Sequence, residues 1–234
     1  MENLGYTYHD DAVPIQQGRI TYNKVVEIDQ PEVSKVYLFV KRAADIVLSA
    51  CALLVLAIPM LVISLVIFLN DGHSPIFKQT RVGKDGKTFT MYKFRTMRVD
   101  AEQMLDQLQG QNEADGPVFK IKEDPRITKV GKFLRRTSLD ELPQFWNVLN
   151  GTMSLVGPRP PLPNEVAQYT PYQRHRLDVK GGITCTWQCS GRSNISFDQW
   201  VEMDLQYIRE RSVWTDFKIL CKTVGAVLKR DGAE

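Results

Sequence analysis

The sequence predicts an α/β (α+β) protein, in which a small, mostly helical domain with one β-hairpin is attached to a long apolar helix. Three observations predict this arrangement. No charged side chain occurs between Ile46 and Leu69. Two alternating runs flank an Asp-Gly turn at Asp85 and Gly86, which is the pattern of a β-hairpin. The segments that follow repeat apolar residues at helical spacing between turn residues.

The apolar segment is longer than the roughly 20 residues that are needed to cross a bilayer. A buried helix of a soluble protein is the alternative, but such helices seldom stay apolar on every face. Pro59 interrupts the segment. Because proline removes one hydrogen bond of the helix ladder and clashes with the preceding turn, we expect a kink or break there.

Basic residues flank the apolar segment on both sides. They are Lys35, Lys41 and Arg42 before it, and Lys78, Arg81, Lys84 and Lys87 after it. A helix that crosses the membrane normally has its positive flank on one side only. Symmetric flanks fit a re-entrant helix that bends and returns to the same face, and the residues alone leave the spanning and re-entrant arrangements open.

We divide the chain into an N-terminal extension at 1–34, a membrane helix at 35–73 and a soluble-type domain at 74–234. The last segment of that domain repeats Trp214, Phe217 and further apolar residues at helical spacing, with lysines elsewhere on the helix. Such a helix faces either the core or the lipid headgroups, and in a membrane-anchored chain we favour the interfacial position.

Composition excludes several classes of protein. The 30 basic and 27 acidic residues leave a net charge of only +3, so we predict no nucleic-acid partner. Four cysteines and three histidines are too scattered for a zinc cluster or a disulfide framework, and we expect the thiols to be reduced and structural. The first residues lack the basic and apolar regions of a cleavable signal peptide.

The best candidate site is the acidic pair Asp140 and Glu141. Pro143 belongs in the first turn of a helix, which places both carboxylates at or next to a helix N-terminus. Ser138 and Glu141 also match a capping box, but a cap at Ser138 would push the proline beyond the first turn. Of the two conflicting signals we rely on the proline.

Arginines before and after the acidic pair indicate phosphoryl transfer. Arg135 and Arg136 precede it, and Arg159 follows on the proline-rich loop Gly-Pro-Arg-Pro-Pro. Guanidinium groups suit phosphate oxygens. One carboxylate can attack phosphorus, and a second can hold Mg²⁺ together with substrate phosphates. A well-capped helix and a rigid surface turn are the alternative, non-catalytic interpretations of these residues.

The chain is similar to the monotopic polyprenyl-phosphate phosphoglycosyl transferases of the bacterial sugar transferase family. The similarity extends from about Lys41 to Gly232 and lies in the joint order of four blocks. These blocks read KRAADIVLS, SPIFKQTRVGKDGKTFTMYKFRTM, DPRITKVGKFLRRTSLDELPQFWNVLNGTMSLVGPRP and GGITCTWQCSGR. The resemblance implies a small α/β catalytic domain at 74–234, a re-entrant membrane helix and amphipathic helices at the membrane surface.

The resemblance also implies the roles of the acidic pair and its cations. Asp140 would be the nucleophile and Glu141 the Mg²⁺ ligand. Arg135 and Arg159 match basic residues of the family's site.

Two further residues of the motif YKFRTM, Lys93 and Arg95, are expected to face phosphates. The implied partners are a UDP-sugar, a polyprenyl phosphate and membrane lipids, at the cytoplasmic face of the inner membrane, with a homo-oligomer left open.

Two positions depart from the family pattern. Ile58-Pro59 replaces the common Ser-Pro at the membrane break, and Gly181-Gly182 replaces Pro-Gly. We expect a shallower bend and a looser loop respectively.

Two other functions fit the sequence less well. A non-catalytic scaffold of a polysaccharide assembly complex would need no acidic pair among arginines. The resemblance implies transfer of a sugar-1-phosphate from the UDP-sugar to the polyprenyl phosphate with release of UMP, whereas a direct glycosyl transferase would release UDP. The residues do not indicate which sugar is transferred.

Overall fold

The computed structural model describes residues 32–113, 115–119, 121–189 and 195–229, and it has the predicted mixture of helices and short strands. The extension predicted for residues 1–34 lies almost entirely outside the described residues.

The apolar segment forms two helices that meet at a sharp bend. Helix α1 spans Lys35–Val55, helix α2 spans Ala57–Asp71, and their axes differ by 60°. The break was predicted at Pro59, and the structure places it three residues earlier, at Leu56. Since the proline has no N–H for the carbonyl of Val55 and crowds that turn, the helix opens one turn earlier.

Neither α1 nor α2 alone is long and apolar enough to cross a membrane, but the bent pair together meets the length and composition requirement. Many of its apolar side chains are exposed. Those exposed by more than 70% include Phe39, Leu54, Val55, Ile58, Leu61 and Leu69. Soluble monomers seldom leave so large a contiguous apolar surface open.

The predicted hairpin is confirmed. Strand β1 spans Ile76–Val82 and pairs antiparallel with strand β2, Thr88–Phe94. Between them Asp85 and Gly86 both have positive φ, 57° and 72°. An Asp-Gly pair tolerates this left-handed backbone, which reverses the chain within a short loop.

A second, parallel pair of strands was not predicted. Strand β3 spans Ser154–Val156 and strand β4 spans Gly182–Thr184. Their backbones approach so closely that a Cβ on Gly182 would lie 2.2 Å from the nitrogen of Gly157. The glycine pair expected to loosen this loop therefore contributes to tight packing. Strands of three residues are too short to show the alternation from which strands are predicted.

The other helices surround the two strand pairs. They are α3 (Leu105–Leu108), α4 (Lys129–Arg136), α5 (Gln144–Leu149), α6 (Pro163–Ala167), α7 (Pro171–Arg174), α8 (Phe197–Glu210) and α9 (Val213–Lys229). Helix α4 carries four basic residues. It is one of the short helices, and Thr128 caps it by accepting a hydrogen bond from the N–H of Gly131 at 2.9 Å.

The main core lies between the hairpin, β3 and α8. Val82, Val156, Leu205 and Ile208 are almost completely buried in it. Helix α9 packs Ile219 inward and leaves Trp214 and other apolar residues exposed. The helix therefore contacts the core with one face and also exposes an apolar stripe.

Helix α1 is fixed to the domain by polar contacts. Arg42 donates to the carbonyls of Val148 and Leu149 at 2.7 and 2.9 Å, and so holds the end of α5. The buried carboxylate of Asp45 accepts from the N–H of Leu155 on β3 at 2.9 Å. The first of the two apolar helices thus contacts the elements next to the candidate site.

Candidate active site

The acidic pair lies in a single 3-10 turn, Leu139–Glu141, between α4 and α5. Pro143 is the residue immediately before α5 and not in its first turn, where it was predicted, although the acidic pair does come just ahead of that helix. The alternative capping box is not formed. Ser138 has a left-handed backbone (φ 56°), and its side chain makes no capping hydrogen bond. This backbone costs a non-glycine residue of order 1 kcal/mol and turns the chain sharply before the pair.

Asp140 is buried, with 8% of its surface exposed. Burial raises the pKa of its carboxyl to about 6, while the charges of Lys93 and Arg135 act in the opposite direction and that of Glu141 raises it further. Cations therefore lie close enough to Asp140 to influence its ionisation. A carboxyl in such surroundings can change charge near neutral pH, which is typical of catalytic carboxyls.

Lys93 joins the hairpin to the acidic pair. It lies on β2 and donates from Nζ to Oε1 of Glu141 at 2.9 Å, with both side chains about one-fifth exposed. The structure thus brings together three of the predicted site residues.

Arg135 is placed by the packing of α4 against the end of the hairpin. A Cβ on Gly131 would lie 1.9 Å from the carbonyl oxygen of Thr96, so this helix can only approach because a glycine is present. The Nε of Arg135 donates to Oγ1 of Thr96 at 2.9 Å. Burial lowers the pKa of Arg135, and the charge of Asp140 opposes that shift.

Arg159 faces the same cleft as Lys93 and Glu141. The residues lining this cleft are Arg81, Met91, Lys93, Glu141, Gln144, Arg159, Pro160, Gly182, Ile183 and Gln188. The close approach of β3 and β4 positions the proline-rich loop, since the N–H of Gly182 donates to the carbonyl of Pro158 at 2.9 Å. Segments far apart in sequence therefore converge on one cationic cleft beside Asp140.

Arg95 is not part of this group, contrary to the expectation that it faces phosphates. Its guanidinium forms a two-pronged ion pair with Asp71 at 2.7 and 2.8 Å and donates to the carbonyl of Ser74. Because Asp71 ends α2, the contact fastens the apolar helix pair to the hairpin. Although Lys93 and Arg95 are two positions apart, Lys93 lies within β2 and Arg95 follows the end of that strand.

The acidic pair offers one or two carboxylates for a metal ion. Among the residues that the structure describes, no group of three or more His, Cys, Asp or Glu side chains could hold one. Mg²⁺ is nevertheless often bound by one or two carboxylates together with substrate phosphates. Glu141 fits that second kind of site, because it faces the cleft.

Sequence reasoning missed two residues of the cleft. Arg81 appeared only as part of a basic flank, and Gln144 only as part of a helix, yet both are buried at the cleft, 6% and 3% exposed. Neither position has a local signal, since their burial depends on how the hairpin packs against α5 and the proline-rich loop.

Residues 36–230 match the family model described as bacterial sugar transferase. The chain is 50% identical over 204 residues to a galactosyl transferase, CpsE, of Streptococcus agalactiae, covering 85% of this chain and 44% of that protein.

Two further relatives carry more specific names. The undecaprenyl-phosphate galactose phosphotransferase of Salmonella typhimurium is 43% identical over 203 residues, which cover 83% of this chain and 42% of the relative. The UDP-glucose:undecaprenyl-phosphate glucose-1-phosphate transferase of Escherichia coli is 43% identical over 213 residues, which cover 86% and 42%. The chain thus spans less than half the length of these three relatives. Because the family model matches most of the chain, and matches the segments that build the cleft, the chain belongs to the bacterial sugar transferase family.

Proposed function

We propose that the protein transfers a sugar-1-phosphate from a UDP-sugar to polyprenyl (undecaprenyl) phosphate, as the first membrane step of polysaccharide or glycoconjugate synthesis. The observation that carries the proposal is the buried Asp140 beside Glu141, Lys93 and Arg135 at a cationic cleft. The names of the Salmonella and Escherichia relatives, a galactose phosphotransferase and a glucose-1-phosphate transferase, support the same reaction class.

The proposed reaction has two steps at one phosphorus atom. A carboxylate oxygen of Asp140 attacks the β-phosphorus of the UDP-sugar, and the bond to the bridging oxygen breaks, so UMP leaves with that oxygen. A phosphate oxygen of the polyprenyl lipid then attacks the same phosphorus. The bond to Asp140 breaks, the carboxylate is restored, and a polyprenyl-diphosphate sugar is formed.

The surrounding residues would stabilise the charge that spreads over the phosphoryl oxygens. Arg135, Arg159 and Lys93 supply donors and positive charge where that charge develops. Glu141 would hold Mg²⁺, which neutralises phosphate charge when it is bound. A covalent route lets a soluble donor and a lipid acceptor use one site in turn.

We also propose that the site works at the cytoplasmic face of the inner membrane. The bent α1–α2 pair would enter the bilayer as a re-entrant helix, with the apolar stripe of α9 in the headgroup layer. The exposed apolar surfaces of these helices support this placement. Anchoring restricts the search for the lipid acceptor to the membrane plane.

The experiment is nucleotide analysis of the full chain with a panel of UDP-sugars, polyprenyl phosphate and Mg²⁺. We expect the native protein to release UMP. We expect Asp140→Asn, which preserves the shape of the side chain but removes its charge, to release none. Release of UDP would identify a direct glycosyl transferase, and no nucleotide release from any donor would favour a scaffold. Undiminished turnover in Asp140→Asn would exclude this residue as the nucleophile.

A further inference from the structure

Arg81 is a buried cation that is not matched by a carboxylate. Three arginines in the described part of the chain are less than 9% exposed. Arg126 pairs with Asp124 at 2.7 Å, and Arg176 pairs with Asp204 at 2.8 Å. Arg81 forms no such ion pair with any described residue, although a buried charge is costly unless it is paired.

The hydrogen bonds of Arg81 go to neutral oxygens. Its Nη1 donates to the carbonyl of Pro160 at 2.9 Å, and its Nε and Nη2 donate to Oε1 of Gln79 at 3.1 and 2.7 Å. These contacts orient the planar guanidinium without neutralising it. Arg159, the neighbour of Pro160 in the chain, lines the same cleft.

A second cation adds to the unmatched charge. Burial, and after it the charge of Arg159, lower the pKa of Arg81 to about 10, while the charges of Glu165 and Glu141 act in the opposite direction. Both arginines line the cleft that also holds Lys93 and Glu141. Two guanidinium groups that line one cleft favour an anion bound there.

We propose that Arg81 and Arg159 together form a binding site for a phosphate oxyanion, with Arg81 as a substrate-binding residue that Gln79 and the carbonyl of Pro160 hold in place. The proposal rests on the function proposed above, since both the UDP-sugar and the polyprenyl lipid carry phosphate. Planar guanidinium forks bind two phosphate oxygens at once, which a lysine cannot do.

The contrasting explanation is that Arg81 only fastens the proline-rich loop through Pro160. A purely structural residue would change the stability of the fold and leave the affinity for phosphate unchanged. A binding residue would change affinity in a protein that still folds.

The test is binding of inorganic pyrophosphate, UDP and a short-chain polyprenyl phosphate to the full chain in detergent, measured by calorimetry at low salt. Arg81→Met should lower the affinity for the phosphate ligand that uses the site by about 10- to 100-fold, which is the range for one lost charge-assisted hydrogen bond. Lys78→Met is the matched control, because it removes an exposed positive charge from the same strand. It should change affinity by less than about twofold, because an exposed charge contributes little.

The pattern across ligands identifies the source of the phosphate. Weaker binding of UDP and pyrophosphate assigns the site to the donor, and weaker binding of the polyprenyl phosphate alone assigns it to the acceptor. Because methionine leaves the carbonyl of Pro160 without its donor, Arg81→Gln provides a second neutral variant that can restore this bond. A folded neutral variant that binds all three ligands like the native protein would overturn the proposal, as would a native protein that binds none.

This measurement requires no turnover, so the two proposals can fail separately. Native protein that releases UDP would refute the covalent route and leave the Arg81 site in place. Unchanged affinity in the Arg81 variants would remove that site and leave the role of Asp140 untouched.

Discussion

Asp140 needs its negative charge to attack phosphorus, so its ionisation should control the rate at low pH. Its pKa is raised to about 6, mainly by burial. We predict that kcat/KM falls below this pH, by about tenfold per unit, because the neutral carboxyl is no nucleophile. Measuring UMP release over a series of pH values checks this acidic limb of the pH–rate profile. A rate that stays level well below pH 6 would contradict the proposed role.

Lys93 should set the position of that limb. Its charge lowers the pKa of Asp140 and it also pairs with Glu141, whose charge raises the same pKa. In Lys93→Met both effects favour the protonated acid, so we predict that the acidic limb moves to higher pH and that kcat/KM falls.

Lys132→Met is the control for the loss of charge, since Lys132 is exposed on α4. It should leave the limb where it is. An acidic limb that stays at the same pH in Lys93→Met would show that this lysine does not act on Asp140.

At the scale of elements, α4 matters because its approach to the hairpin positions Arg135. A side chain at Gly131 would meet backbone atoms of Thr96, which cannot rotate away. We predict that Gly131→Ala destabilises the fold by about 1–3 kcal/mol, as overpacking usually does, and reduces transfer by displacing Arg135. Urea unfolding in detergent and UMP release measure the two effects.

Gly225 on α9 is the matched control. Nothing lies within 4 Å of a Cβ placed there. Gly225→Ala should therefore stabilise the helix by about 0.5–1 kcal/mol through its higher helix propensity. Equal stability of the two alanine variants would mean that α4 can move away from Thr96 without a loss in the free energy of unfolding.

Two further contacts join the apolar helix pair to the site elements. Arg42 on α1 holds the end of α5, and Arg95 holds Asp71 at the end of α2. Arg95 was predicted to face substrate phosphates, but in this structure it fastens the end of α2 to the hairpin. Both helices of the pair are therefore attached to the domain.

At the scale of the whole molecule, the bend would decide on which face of the membrane the two termini lie when the α1–α2 pair inserts as proposed. We predict that tags at the two termini are both digested by protease from the cytoplasmic side, because a re-entrant pair returns to the face it entered. Pro59→Ala restores the missing N–H and should straighten α1 and α2 into one helix long enough to cross. Its N-terminal tag should then become accessible from the opposite side.

Protease digestion of sealed vesicles of both orientations provides the measurement, with the C-terminal tag as the internal control. Native tags on opposite faces would refute the re-entrant arrangement. The break at Leu56 suggests where the bend would sit in the bilayer.

Local signals in the sequence determined much of this protein. The Asp-Gly turn specifies the hairpin, Pro143 places the acidic pair before α5, and the uncharged segment specifies the apolar helices. These signals act over a few residues, so they can be interpreted without a partner segment. The similarity to the family then pointed to Asp140 and Glu141 as the reacting pair.

Only the tertiary structure decided which cations share the cleft. Arg159 and the unpredicted Arg81 line the cleft, whereas Arg95 pairs with Asp71. The pairing of β3 with β4 is likewise visible only in the fold. The physical reason is that burial and ion pairing depend on segments far apart in sequence. A charged side chain looks the same along the chain whether its partner is water, a carboxylate or a substrate phosphate.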